Sequence, residues 1–172
     1  QFSCLLRALD IQEDTRIIFT KANADSGGRA INQMIDEYVS GHKEKAAAFT
    51  SLGHRRYVSL MRLVDAVIGN SSSGMLEAPY FKVPTINIGD RQKGRIRLAS
   101  IIDCFASKES ITEALKALYS QEFKAKMQNL VNPYGDGKAA TGIKDILKIC
   151  DLKDILKKKF YDLTGQGVLN HG

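Results

Sequence analysis

The chain has 172 residues, an apolar fraction of 44% and a formal net charge of +6. That length and balance give one domain of ordinary size with a full core, and no apolar run reaches the roughly 20 residues that span a bilayer. Cys4, Cys104 and Cys150 stand far apart, which argues against a disulfide framework or a zinc site and fits a reducing cytoplasm, and residues 1–10 lack the basic start and long apolar stretch of a secretory signal.

Strand and helix signals alternate from there. Residues 16–20 (RIIFT) form a β-branched and aromatic run that predicts a first strand, followed by a turn over 21–28. Ala30, Ile31, Met34, Ile35 and Tyr38 then recur at helical spacing up to Gly41. Residues 46–51 predict a second strand, and Tyr57, Leu60, Met61 and Val64 a second helix. A third, wholly apolar strand covers 66–69, a short helix covers 74–81 ahead of Pro84, and strands follow at 85–88 and 101–105. Beyond Ala106 the pattern is helical. Ser107 or Ser110 caps a helix carrying Ile111, Ala114, Leu115 and Leu118, Phe123, Met127 and Leu130 form a further stripe, and 132–137 (NPYGDG) is a strong turn. A last helical tract covers 141–160, with a break near Cys150 and Asp151. Such alternation predicts βαβ units and a doubly wound parallel sheet covered on both faces. The expected organisation is one α/β domain over 1–163 and a frayed tail over 164–172.

In a sheet of this kind ligands bind at the carboxyl ends of the strands. The loops leaving those ends are 21–28, 52–55, 70–74 and 89–95, and all would share one rim. They hold glycines for close backbone approach, hydroxyls and amides as donors, and cations for phosphate charge. The most informative is 66–77 (AVIGNSSSGMLE), a strand, a tight turn and a helix start with serines at the turn. Unpartnered N–H groups at a helix start attract anions, and Glu77, one turn on, can accept bonds from two sugar hydroxyls, so a diphosphate joined to a ribose suits the segment. A merely capped helix after a buried strand remains the plainer alternative. Asn23 and Asp25 can equally cap a helix or shape a turn. His54 is a surface residue or a base, Tyr57 a core residue or a flat wall, and Arg91 and Arg95 ligand cations or surface partners of Asp90 and Asp103.

Several reactions lack their parts. There is no GxGxxG for dinucleotide redox, no GxxxxGK[ST] loop, and no GxSxG elbow. No His/Cys set has metal-ligand spacing, and no cofactor motif is present. Basic residues gather at Arg91, Lys93, Arg95 and Arg97 and at Lys153, Lys157, Lys158 and Lys159. Without an aromatic stacking platform they do not point to nucleic acid. The rim suits phosphate and sugar but offers no acid–base pair.

The stretches Asn70-Ser71-Ser72-Ser73-Gly74, Glu77-Ala78-Pro79 and 84–95 (PTINIGDRQKGR) closely resemble the hydrolysing UDP-N-acetylglucosamine 2-epimerases of sialic acid synthesis. Residues 20–25 (TKANAD), 132–137 and 159–162 (KFYD) resemble the same family in the same order. The resemblance implies the Rossmann-like C-terminal half of a two-domain, GT-B-type fold whose cleft holds the active site. It implies that Ser71 and Ser72 contact the diphosphate, Glu77 the ribose diol, and Arg91, with Arg95 second, the phosphates or nearby sugar. Leu52 and Tyr57 would flank the uracil, and Asn23 would reach into the cleft near the diphosphate. In the family's reaction UDP is eliminated as the proton at sugar C2 is removed, and water then adds to give N-acetylmannosamine. The carboxyl groups for that chemistry come mostly from the N-terminal domain, and a family His in an HPVT-like segment has no counterpart here. The implied reading is a UDP-binding half without its first strand or the catalytic N-terminal domain, inactive alone, with no catalytic residue of its own and a homodimer when complete. A GT-B glycosyltransferase donor domain and a non-catalytic nucleotide-sugar sensor stay open beside it.

Overall fold

The computed structural model describes residues 1–23, 27–135 and 137–153. Ala24, Asp25, Ser26, Asp136, the basic residues Lys157, Lys158 and Lys159, the 159–162 stretch and the tail 164–172 lie outside the described residues. The chain divides into a large unit, Gln1–Tyr134, and a second unit from Gly135 onward.

The large unit begins with a helix that the strand and helix signals above do not include, α1 (Phe2–Asp10). It has no side-chain cap at Gln1, so only the spacing of Phe2, Leu5, Leu6 and Leu9 marks it. Burial of Leu5, Ala8 and Leu9 is what holds it. There follow β1 (Ile17–Thr20), α2 (Gly28–Gly41), β2 (Ala46–Phe49), α3 (Gly53–Met61) and β3 (Val67–Gly69). Next come α4 (Ser73–Leu76), a 3-10 turn (Ala78–Phe81), β4 (Thr85–Ile88), β5 (Ile101–Cys104), α5 (Lys108–Leu118) and α6 (Gln121–Gln128). Ser107 caps α5, its hydroxyl accepting from the Ser110 amide at 3.2 Å.

All strand pairs are parallel, as alternation requires. The expected continuous sheet is in two pieces, however. β1 pairs with β2, and β4 lies between β3 and β5. Among the described residues β1 and β3 do not pair with each other, and each keeps one unpaired edge. One apolar cluster nevertheless joins both pieces: Phe19 of β1, Ala46 of β2 and Ile86 of β4 share it with buried residues of α1, α2, α5 and α6. α1 packs against both α2 and α5, which in turn contact β2 and β4. A second cluster of Met61, Ala78 and Val83, flanked by Tyr57, Val67 and Phe81, joins α3 to the 3-10 turn.

The helix expected over 74–81 is broken. α4 lasts four residues, Glu77 falls at the junction, and the 3-10 turn takes over with Pro79 in its first positions. Proline has no N–H to continue an α-helical ladder. In the second unit α7 (Ala139–Ile149) ends at Cys150, whose backbone is extended, so the expected break is where the helix stops.

Candidate functional site

The chemistry-bearing loops leave the carboxyl ends of the strands. The turn after β3 is the centre. Ser71 is exposed and Ser72 half-buried. Ser71 Oγ accepts from the Ser73 amide at 3.3 Å, while Ser72, at the N-cap position, makes no side-chain cap bond. Helix capping therefore accounts for neither serine fully. With only four residues, α4 lacks the aligned peptides of a macrodipole. The anion-attracting helix start expected from sequence is corrected to a short turn whose donors are hydroxyls and local N–H groups.

The loop after β4 comes to this turn. Arg91 Nη1 donates to Asn70 Oδ1 at 3.5 Å, and Gln92 Nε2 donates to the Asn70 carbonyl at 2.7 Å. Arg91 is exposed and Gln92 buried. Gly89 opens the loop with φ of 80°, a left-handed conformation that glycine adopts without strain. Asn87, buried at the end of β4, donates to Asp103 Oδ1 at 2.6 Å and to the Gly89 carbonyl at 3.2 Å. Asp103 Oδ2 is paired with Arg97 Nε at 3.2 Å. Neither Arg91 nor Arg95 takes Asp103 as a partner, which removes one surface-pairing alternative.

α3 reaches the turn as well. Tyr57 and Ser73 share a hydroxyl–hydroxyl hydrogen bond of 2.6 Å. Tyr57 also packs against the second apolar cluster, so it is a core-facing ring with a polar tip at the site. Glu77 is exposed, and its carboxylate has no ion pair or hydrogen bond among the described residues.

Ser71, Ser72, Tyr57, Arg91 and Glu77 thus lie on or beside one turn. Asn23, Leu52 and Arg95 make no polar side-chain contact with it. Asn23 is exposed in the loop after β1, held by a bidentate clamp in which the Ala22 amide donates to Asn32 Oδ1 at 2.8 Å and Asn32 Nδ2 donates to the Ala22 carbonyl at 3.1 Å. Leu52 is half-buried at the N-cap of α3, and Arg95 is exposed. Sequence reasoning did not single out Ser73, Gln92, Asn87 or Asn32. A third serine and the glutamine of the GDRQKGR stretch were visible, but not that one meets Tyr57 and the other is buried.

No group of three or more His, Cys, Asp or Glu side chains among the described residues could hold a metal ion. No helix among them is long and apolar enough to cross a membrane.

Parallel strands, helices between them and a polar rim at the strand ends define a Rossmann-like α/β domain, the half-fold of GT-B-type proteins. A family model described as UDP-N-acetylglucosamine 2-epimerase matches residues 1–148, and the chain belongs to that family. It is 46% identical over 167 residues to a GDP/UDP-N,N'-diacetylbacillosamine 2-epimerase (hydrolyzing) of Campylobacter jejuni, covering 95% of this chain and 42% of that protein. It is 36% identical over 168 residues to the polysialic acid biosynthesis protein P7 of Escherichia coli, again covering 95% and 42%. Its fold matches an S. aureus MnaA–UDP co-structure with a TM-score of 0.67 at 20% identity, over 86% of this chain and 40% of the other. The chain therefore spans less than half the length of these relatives.

Proposed function

We propose that the chain is the UDP-binding half of a hydrolysing nucleotide-sugar 2-epimerase, which releases UDP and N-acetylmannosamine from UDP-N-acetylglucosamine. The observation that carries this reading is the meeting of loops 70–74 and 89–95, where Arg91 and the serine turn share Asn70. A guanidinium beside hydroxyl and N–H donors is a cradle for a diphosphate. In this reading Ser71 and Ser72 donate to the diphosphate and Arg91 and Arg95 offset its charge. Glu77 accepts from the ribose diol, Leu52 and Tyr57 flank the uracil, and Asn23 faces the diphosphate from the loop after β1. Stabilising the departing diphosphate is this half's share of catalysis.

The strand topology supports a missing strand. The doubly wound order places the first strand between the second and the fourth, and β1 and β3 each present an unpaired edge. A strand contributed by the rest of the protein would join the two pieces. The complete enzyme is then two-domain, cytoplasmic, as its free cysteines suit, and dimeric.

Glu77→Ala in the complete enzyme tests the site. UDP affinity by titration calorimetry should fall at least tenfold, roughly 1.4 kcal/mol or more, the loss expected for a charge-assisted pair of hydrogen bonds. Unchanged affinity would remove Glu77 from the ribose. The activity in the name of the C. jejuni relative favours a second sugar, N,N'-diacetylbacillosamine. Comparing kcat/KM for the two UDP-sugars decides between them.

A further inference from the structure

Apart from backbone bonds such as those from the Gly74 amide to the Ser71 carbonyl at 3.3 Å and from the Met75 amide to the Ser72 carbonyl at 3.0 Å, the serine turn has little of its own to keep it in shape. α4 is four residues long, and the one side-chain bond inside the turn is the 3.3 Å contact from the Ser73 amide to Ser71 Oγ. Helices this short have no cooperative stability. Side chains from neighbouring segments hold the turn as well: Arg91 and Gln92 at Asn70, Tyr57 at Ser73 and Thr85 at the Gly74 carbonyl. Gln92, only 5% exposed, donates to the carbonyl of Asn70, the residue before Ser71, at 2.7 Å. Tyr57 meets the hydroxyl of Ser73, the residue after Ser72, at 2.6 Å.

Gln92 is a costly way to fill its place. Its Oε1 is buried without a hydrogen-bond partner among the described residues, and an unsatisfied buried amide oxygen is destabilising. An apolar side chain of similar length would pack there at less cost, so stability alone does not explain a glutamine. What the amide provides is the short bond to Asn70.

We propose that Gln92 and Tyr57 are positioning residues that fix the turn 70–73 in the geometry that receives a diphosphate, an inference that rests on the nucleotide-binding reading above. Donors held in place before the ligand arrives lose less on binding than donors that must be ordered by it. Neither residue needs to touch the ligand through the group that does this work.

The test compares Gln92→Met and Tyr57→Phe in the complete enzyme, each alone and combined with Ser71→Ala. UDP dissociation constants are read by calorimetry and melting temperatures by scanning calorimetry. Methionine keeps the length of glutamine and removes both the donor and the orphaned oxygen, and phenylalanine removes one hydroxyl. Each single variant should raise the UDP dissociation constant about tenfold, as loss of preorganised geometry does, with little change in melting temperature. On top of Ser71→Ala each should add clearly less than it costs alone, because the turn it orients has already lost one of its donors. Unchanged UDP affinity, a lowered melting temperature without loss of affinity, or a full penalty persisting in the Ser71→Ala background would overturn the proposal. Should Gln92→Met fail to fold, Tyr57→Phe decides alone. A parent enzyme that does not bind UDP overturns the nucleotide reading and this proposal together, whereas a parent that binds beside unaffected variants overturns this proposal only.

Discussion

Gly74 is where the serine turn meets the sheet. A Cβ on it would lie 2.5 Å from Thr85 Cγ2 and 3.2 Å from Thr85 Oγ1. Thr85 cannot give way: it is buried in β4, β-branched, and its hydroxyl donates to the Gly74 carbonyl at 2.9 Å. The close approach sets how near the turn sits to the strand end. Gly74→Ala should therefore push the turn off β4 and destabilise the fold by about 2 kcal/mol, the usual cost of overpacking, read as a lower urea midpoint. Adding Thr85→Ser, which removes Cγ2 and keeps the hydroxyl, should recover part of that loss. A Gly74→Ala protein as stable as the parent would show that the turn tolerates displacement. The site residues were legible to different depths for the same reason. A run of serines before a glycine and a glutamate can be read along the chain, but the bonds from Tyr57 and Gln92 span 16 and 22 residues. No local pattern records such contacts.

At the scale of elements, β4 was legible to the residue because Thr85, Ile86 and Ile88 are β-branched and the run is bounded by Pro84 and Gly89. α5 was legible from its cap, and the other strands to within two residues. The break in the sheet was not, since pairing depends on which edges meet rather than on any one run. α1 went unread because no capping residue announces it, although tertiary burial holds it firmly. Its contact with α2 carries a pH dependence. Tyr38 of α2 is buried, stacks on His42 at 4.2 Å, and has its pKa pushed up to about 12 by burial and by the neighbouring Asp10 at the end of α1. Unfolding returns it to about 10. The unfolded chain thus sheds this proton first, so the stability is whole below pH 10 and drains away as pH rises toward 12. Urea midpoints at pH 9 and pH 11 should differ more for the parent than for Tyr38→Phe. Equal differences would mean that the phenol is not shielded in the folded state.

At the scale of the whole molecule, the proposed reading gives this chain the holding of a leaving group and little else. Removing a proton from a sugar carbon and delivering water need a positioned acid and base. The carboxylates on this rim do not form such a pair: Asp103 is bound by Asn87 and Arg97, Asp90 is exposed in the loop after β4, and Glu77 stands exposed and unpaired among the described residues at the junction after α4. His54 is exposed on α3, and among the described residues no cluster could hold a metal in place of an acid. The relatives that share this fold are more than twice as long. On the proposed reading the chemistry comes from the remainder of the complete protein, and the diphosphate cradle is this chain's share. The 172-residue chain, once its cooperative unfolding shows that it is folded, should bind UDP weakly and release no UDP from UDP-N-acetylglucosamine above the uncatalysed background. Joined to the rest of the complete protein, it should turn over. Steady release of UDP and N-acetylmannosamine by the chain alone would place the acid and base on this rim and overturn the division of labour.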